Sequence, residues 1–174
     1  FNPSVAVSGS VVHIVWHEER DGNPEIYYKR STDGGVSWGA DTRLTNNSAL
    51  SGFPSVAVFG SVVHAVWREN RDGNPEIYYK RSTDSGVRWE PDTRLTNSTG
   101  SSLYPSVAVS GSVVHIAWTD ERDGNKEIYY NGNPTGNTTE VKNINSEVPE
   151  ENKLHQNYPN PFNPETNISY SIGI

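Results

Sequence analysis

The chain contains no cysteine, which excludes disulfides, thiolate metal sites and a cysteine nucleophile. That absence leaves the compartment open, because a secreted protein need not carry disulfides. No Lys/Arg cluster interrupts a formal charge of −7, set by 14 basic against 21 acidic residues. A surface that neutralises nucleic-acid phosphates is therefore not expected. No run approaches the ~18–20 apolar residues that span a bilayer. The opening FNPSVAV has neither the basic nor the apolar region of a signal peptide. Gly-rich phosphate loops, Gly-x-Ser-x-Gly elbows, His-Glu-x-x-His pairs and EF-hand patterns are missing too. So is any sustained helical period.

What the 174 residues do contain is bulk: five Trp, nine Tyr and four Phe, alongside 15 Gly and 11 Pro. That length holds one ordinary domain and little more. Large core side chains separated by frequent turn formers suit short strands, and the expected class is all-β.

Internal repetition decides the architecture. PSVAV stands at 3–7, 54–58 and 105–109, a spacing of 51 residues both times. Trp16, Trp67 and Trp118 keep that spacing, as do His13, His64 and His115. Aligned without gaps, 3–53 and 54–104 share 37 of 51 residues, which is duplication. Each repeat offers four β-type segments. In the first they are PSVAV (3–7), SVVHIVW (10–16), EIYYKRS (25–31) and a polar outer strand around DTRLT (41–45). A Ser-Gly turn joins the first two, and the Asp-Gly of ERDGNPE (19–25) turns the chain into the third. Four antiparallel strands in about 50 residues make one β-propeller blade. Within VVHIVW, Val12, Ile14 and Trp16 face one way and Val11, His13 and Val15 the other. A strand apolar on both faces is buried on both, as it is between neighbouring blades. A sandwich would show cleaner alternation.

The expected fold is thus a partial β-propeller of three four-stranded blades, 1–53, 54–104 and 105–145. A polar linker follows at 146–153, then a C-terminal segment at 154–174. After EIYY (127–130) the third repeat changes to NGNPTGNTTEVKNIN, within which TTEVKNI (138–144) supplies the outer strand. Three blades do not close a ring of the usual ~4–8. With the chain opening on a repeat boundary, the expectation is that earlier blades and a leader precede it. The alternative is a ring closed by several chains.

STDGGVSW (31–38) and STDSGVRW (82–89) match Ser-x-Asp-x-Gly-x-x-Trp, which resembles the Asp-box, or bacterial neuraminidase repeat. The wider unit PSVAV…VHxxW…RDGNxEIYYKRSTD…W looks like the repeats of sialidase-like β-propellers over about residues 1–145. A second resemblance covers the end: LHQNYPNPFNPETNISYSI (154–172) looks like the start of the C-terminal sorting domain of the type IX secretion system. It implies a secreted or cell-surface protein, with the type IX machinery as partner and the domain cut short at Ile174.

Three sets of residues are candidates for chemistry. Asp33 and Asp84 recur in the boxes, but a carboxylate in a Gly-rich turn accepts from backbone N–H groups, a fastening role. The resemblance places those turns away from the substrate face. His13, His64 and His115 sit one per blade, spread around a ring where metal ligands would converge, so they read as packing residues. The loops HEERDGNPE (17–25), RENRDGNPE (68–76) and TDERDGNKE (119–127) carry Arg20, Arg71 and Arg122, and the resemblance puts these loops on the functional face. The three arginines are the candidate binding residues, able to grip a carboxylate or sugar hydroxyls. The competing reading, favoured by their repetition, is a local ion pair in each hairpin.

The sialidase family uses three converging arginines, a tyrosine nucleophile with a glutamate partner, and an acid/base aspartate, all at non-equivalent blade positions. Near-identical blades offer no such asymmetry, and no catalytic residue carries over. No cofactor or metal is expected. The functional expectation is a non-catalytic secreted or cell-surface scaffold binding a glycan or extracellular polymer. The alternative is a fragment of an exo-sialidase or other glycoside hydrolase whose catalytic blades lie upstream.

Overall fold

The computed structural model describes residues 1–133 and the two-residue strands 142–143, 153–154 and 170–171. The chain divides into two compact units, Phe1–Asn143 and Ile144–Ile174. The described strands form three four-stranded antiparallel meanders. Blade 1 comprises β1 (Ser4–Ser8), β2 (Val11–Glu18), β3 (Glu25–Ser31) and β4 (Thr42–Arg43). Blade 2 comprises β5 (Ser51–Phe59), β6 (Val62–Glu69), β7 (Glu76–Ser82) and β8 (Thr93–Arg94). Blade 3 comprises β9 (Ser102–Ser110), β10 (Val113–Asp120), β11 (Glu127–Asn133) and β12 (Lys142–Asn143). In the second unit β13 (Lys153–Leu154) pairs with β14 (Tyr170–Ser171). The sorting-domain motif at 154–172 otherwise lies outside the described residues.

Hydrophobic packing runs between blades. Val15, Ile26, Tyr28 and Leu44 of blade 1 meet Val56, Val63, Ala65, Trp67 and Tyr78 of blade 2. The opposite face of blade 2, with Ala57, Val66, Ile77 and Tyr79, meets Val107, Val114, Ile116, Trp118 and Tyr129 of blade 3. The two interfaces use equivalent repeat positions, so one packing solution is employed twice. Strand β6 is consequently dry on both sides: Val63, Ala65, Val66 and Trp67 are all fully buried. First strands also fasten one blade to the next, since Val56 N–H donates to Ser4 Oγ and Val107 N–H to Ser55 Oγ, both at 3.2 Å.

A polar residue on a two-sided strand needs a partner. The histidines find one in the next strand: His13, His64 and His115 pair through Nδ1 with the hydroxyls of Tyr28, Tyr79 and Tyr130 at 2.7, 2.7 and 2.8 Å. Burial, with Arg81 nearby, lowers the His64 pKa to about 4, so the ring is neutral at ordinary pH.

Two expectations about the strands change. DTRLT forms a ladder only at Thr42–Arg43. Leu44 turns inward into the blade interface, and Thr45 Oγ1 accepts the Ile26 N–H at 2.8 Å. The first strands of blades 2 and 3 begin earlier than PSVAV, at Ser51 and Ser102, because a bulge carries pairing past Pro54 and Pro105. A proline breaks a ladder unless it sits at an edge or a bulge.

The repeated Ser-x-Asp turns lie at the end of each blade opposite the 19–24 and 70–75 loops, since β3 and β7 run from one end to the other. Asp33 Oδ1 accepts from Ser37 N–H at 2.9 Å and Ser31 Oγ at 2.6 Å, while Gly35 N–H donates to Ser31 Oγ at 2.8 Å. Asp84 repeats the pattern with Arg88 N–H and Ser82 Oγ. Trp89 reaches across the interface to meet Tyr28 edge-on at 5.0 Å.

Trp67→Ala removes the largest side chain of the first interface and is expected to cost about 3–5 kcal/mol in chemical denaturation. The hydroxyl and backbone donors hold the Asp33 pKa down to about 2. A depressed carboxyl pKa stabilises above the unfolded value and loses that contribution as pH falls through the folded one. Asp33→Asn should therefore melt lower than the parent at about pH 6, with the gap closing by about pH 2. A gap independent of pH would exclude the carboxylate as the fastener.

Candidate functional site

The β2–β3, β6–β7 and β10–β11 loops share one end of the blades with the linkers that enter blades 2 and 3. Each loop turns at a glycine with a left-handed backbone, Gly22, Gly73 and Gly124, at φ of 99°, 103° and 89°. The Asp-Gly of the sequence supplies that conformation without a Cβ clash. Asn23 and Asn74 then tie the first two loops to the linkers behind them. Asn23 Nδ2 donates to the carbonyls of Asn47 and Ala49, and Asn74 Nδ2 to those of Ser98 and Gly100.

The last residue of each second strand, Glu18, Glu69 or Asp120, is a carboxylate that collects donors. Trp16, Trp67 and Trp118 donate through Nε1 at 3.0, 2.8 and 2.9 Å. The arginines two residues on donate to the same groups: Arg20 to Glu18 at 2.5 Å, Arg71 to Glu69, and Arg122 to Asp120 through two nitrogens. Arg20 and Arg71 also reach Asp41 and Asp92. Each guanidinium lies over a tyrosine ring, Tyr27, Tyr78 or Tyr129, at 4.2–4.4 Å from the centroid. The loop aspartates Asp21, Asp72 and Asp123 accept from those tyrosine hydroxyls. Arg20, Arg71 and Arg122 therefore stand one per blade at the loop end, paired within their own blade, with side chains 41%, 33% and 27% exposed.

Electrostatics follow from this pairing. The Asp120 pKa moves far down despite burial, because Arg122, Trp118 and Ser102 all donate to the ionised form. Glu18 is lowered by Arg20 and Trp16. Among the described residues, every carboxyl whose pKa is displaced is displaced downward. None of these is held protonated, the state a general acid requires. No three His, Asp or Glu side chains gather to hold a metal among the described residues.

The loop end also carries a cleft of about 460 Å³ between blades 2 and 3. Asn74, Gly100, Ser101, Glu121, Asn125 and Lys126 line it. At equivalent positions between blades 1 and 2 stand Asn23, Ala49, Leu50, Asn70, Asn74 and Pro75. Exchanging Leu50 for Ser101 and Pro75 for Lys126 makes the second junction polar. At Gly100 a Cβ would lie 2.5 Å from the Glu121 carbonyl carbon, so glycine lets the linker approach the loop. Sequence reasoning missed this cleft, although the change from Pro24 and Pro75 to Lys126 inside an otherwise repeated loop was its visible signal.

The buried carboxylates lead to a graded expectation. Glu69→Ala leaves Trp67 Nε1 and Asn47 without their acceptor and Arg71 with Asp92 alone, and should cost about 3 kcal/mol or more in denaturant unfolding. Glu18→Ala, at the more open end of blade 1, should cost clearly less. Equal losses would contradict burial as the cause.

No family model matches the sequence. A TolB homolog from Chlorobaculum tepidum is 38% identical over 80 residues, which is 46% of this chain and 16% of that protein. Among solved structures, a GH93 α-L-arabinofuranosidase of Fusarium graminearum in complex with arabinobiose superposes with a TM-score of 0.61 at 14% identity, covering 91% of this chain and 53% of that one. Trypanosoma rangeli sialidase in complex with sialic acid gives 0.58 at 13% identity, covering 82% and 30%. A Penicillium chrysogenum α-L-arabinanase complexed with arabinobiose gives 0.56 at 12% identity, covering 77% and 45%. The chain thus spans about half or less of the length of these proteins, and what it shares with the solved structures is the all-β propeller fold.

Proposed function

We infer that this chain is a non-catalytic β-propeller scaffold of the cell surface or extracellular space. It holds a glycan or other extracellular polymer at the loop end of its blades. The observation that carries the reading is the pairing of the acids there. Hydrolysis of a glycosidic bond uses two carboxyl groups with separated roles, one kept protonated. Here Glu18, Glu69 and Asp120 are each committed to a tryptophan and an arginine of their own blade. Such groups build a rigid rim and leave binding to the surface around them. Arg20, Arg71 and Arg122 are proposed as polar contacts of that rim, and the Lys126 cleft as an opening within it. Export by the type IX route is proposed from QNYPNPFNP at 156–164. No helix of the described residues is long and apolar enough to cross a membrane.

A second reading, a fragment of an exo-sialidase or other glycoside hydrolase, is favoured by the glycosidases among its fold neighbours. One pair of measurements separates the two. The scaffold reading expects retention of the chain on a polysaccharide array without release of reducing ends or of aryl leaving groups from sialosides and arabinosides. Turnover at a rate lost on removing any single acid would overturn it. Replacing Arg20, Arg71 and Arg122 together by Gln should weaken array retention.

A further inference from the structure

One feature of the loop end takes no part in the arginine–carboxylate rim. Phe1, His17, Phe53 and Tyr104 form a row of rings across the three blades. Successive centroids are 5.8, 6.2 and 5.0 Å apart, with interplanar angles of 47°, 46° and 83°. Tyr104 is exposed at 56%, and Phe53 is half-buried. The row lies where the first strand of each blade begins, opposite the end of the second strand, as the pairings of Gly52 with Arg68 and Leu103 with Thr119 require.

The backbone holding the row is costly. Phe53 and Pro54 together oppose Trp67, and Tyr104 and Pro105 oppose Trp118, so each pair forms a two-against-one bulge. Phe53 and Tyr104 occupy the left-handed region, at φ of 54° and 53°. Glycine is the usual residue there, and a bulky side chain is an outlier. Blade 1 has Asn2 at this position, φ 49°, a residue that tolerates the conformation. Two blades of three therefore keep an aromatic ring where the fold would accept glycine. Strain of this kind is retained at binding surfaces.

The row also contains an uncommitted donor. Arg68 holds its guanidinium 5.5 Å from the Phe53 ring centroid. Its Nε is buried without a hydrogen-bond partner, and no acid pairs with Arg68 among the described residues. The contrast is with Arg71, three residues on, which has two acids. His17 Nδ1 is buried and unpartnered as well. In otherwise near-identical repeats, this position reads His17, Arg68 and Thr119, and its neighbour on the first strand reads Asn2, Phe53 and Tyr104. The blades have diverged where the row stands.

We propose that Phe1, His17, Phe53 and Tyr104, with Arg68, form a stacking platform for a neutral, linear glycan of β-linked pyranose units. The proposal rests on the glycan-binding reading above and names its surface. Pyranose rings with equatorial hydroxyls present C–H faces, which pack on aromatic rings as apolar surface does. Their hydroxyl and ring oxygens accept from Arg68. A row of rings crossing three blades suits a chain of sugars better than a single residue. A polyanion is disfavoured because the chain carries −7 overall.

The test uses the full 174-residue chain, with cellohexaose and xylohexaose as probes, titrated by calorimetry beside a panel of neutral and acidic polysaccharides. Phe53→Gly and Tyr104→Gly should each weaken binding about tenfold. Tyr104→Phe should retain it, and Arg68→Gln should lose several-fold. Thermal melting separates binding from folding. Both glycine variants relieve a strained φ, so the exposed Tyr104→Gly should melt at or above the parent while binding is lost. Unchanged affinity in both glycine variants, while the parent binds a neutral hexaose, overturns the platform and leaves the glycan-binding reading standing. Parent binding confined to acidic polysaccharides also overturns it. No binding by the parent to any carbohydrate on the panel overturns the reading itself.

Discussion

Burial of the second strand of a blade on both faces is the constraint from which the rest of the structure follows. Trp67 and Val66 point to opposite sides of β6, and both are without solvent contact because blades 1 and 3 cover them. A strand in that position has no water to satisfy its polar groups, so most of them are answered from within. His64 is answered by Tyr79, the Trp67 indole by Glu69, and Glu69 in turn by Arg71, Ser51 and Asn47. The repeated polar residues, which look at first like a catalytic inventory, are largely the polar complement of this packing.

That complement is the ground on which a non-catalytic role is proposed for Glu18 and Asp120. A carboxyl kept protonated for catalysis needs burial without compensating donors. Asp120 is buried but receives three kinds of donor, and its pKa falls. Among the described residues, Arg68 Nε and His17 Nδ1 are unpartnered at a position where the repeats differ from one another. Function in a repeat protein is expected at such departures, since positions held alike in each copy serve the stacking of the copies.

Much of this was legible in the residues. The 51-residue period, the four strands per blade and the two-faced VVHIVW pattern all correspond to observed elements. The box aspartates fasten turns as the chemistry of a Gly-rich loop suggests, at the end away from the arginine loops. Other features were not legible. Leu44 in DTRLT looked like part of a polar edge, because nothing local signals that the chain turns inward there. The bulges at Phe53 and Tyr104 were hidden behind Pro54 and Pro105, which read as strand starts. Nothing in the box motif signals that Trp89 meets Tyr28 of the preceding blade.

The amino-acid sequence by itself determined the blade: its length, its strand order, its turns and which side chains share a face. These depend on period-two alternation and on Gly, Pro and Asp at turns, all of which act over a few residues. Tertiary structure alone decided what each repeated residue experiences. Val5, Val56 and Val107 are the same residue of the same repeat, yet Val5 is 62% exposed and the others are buried. The difference is the blade packed in front of Val56 and Val107, and a neighbour brought in from 50 residues away leaves no mark on the local sequence. The aromatic row has the same origin, since its rings come from three blades and meet only because the blades stack.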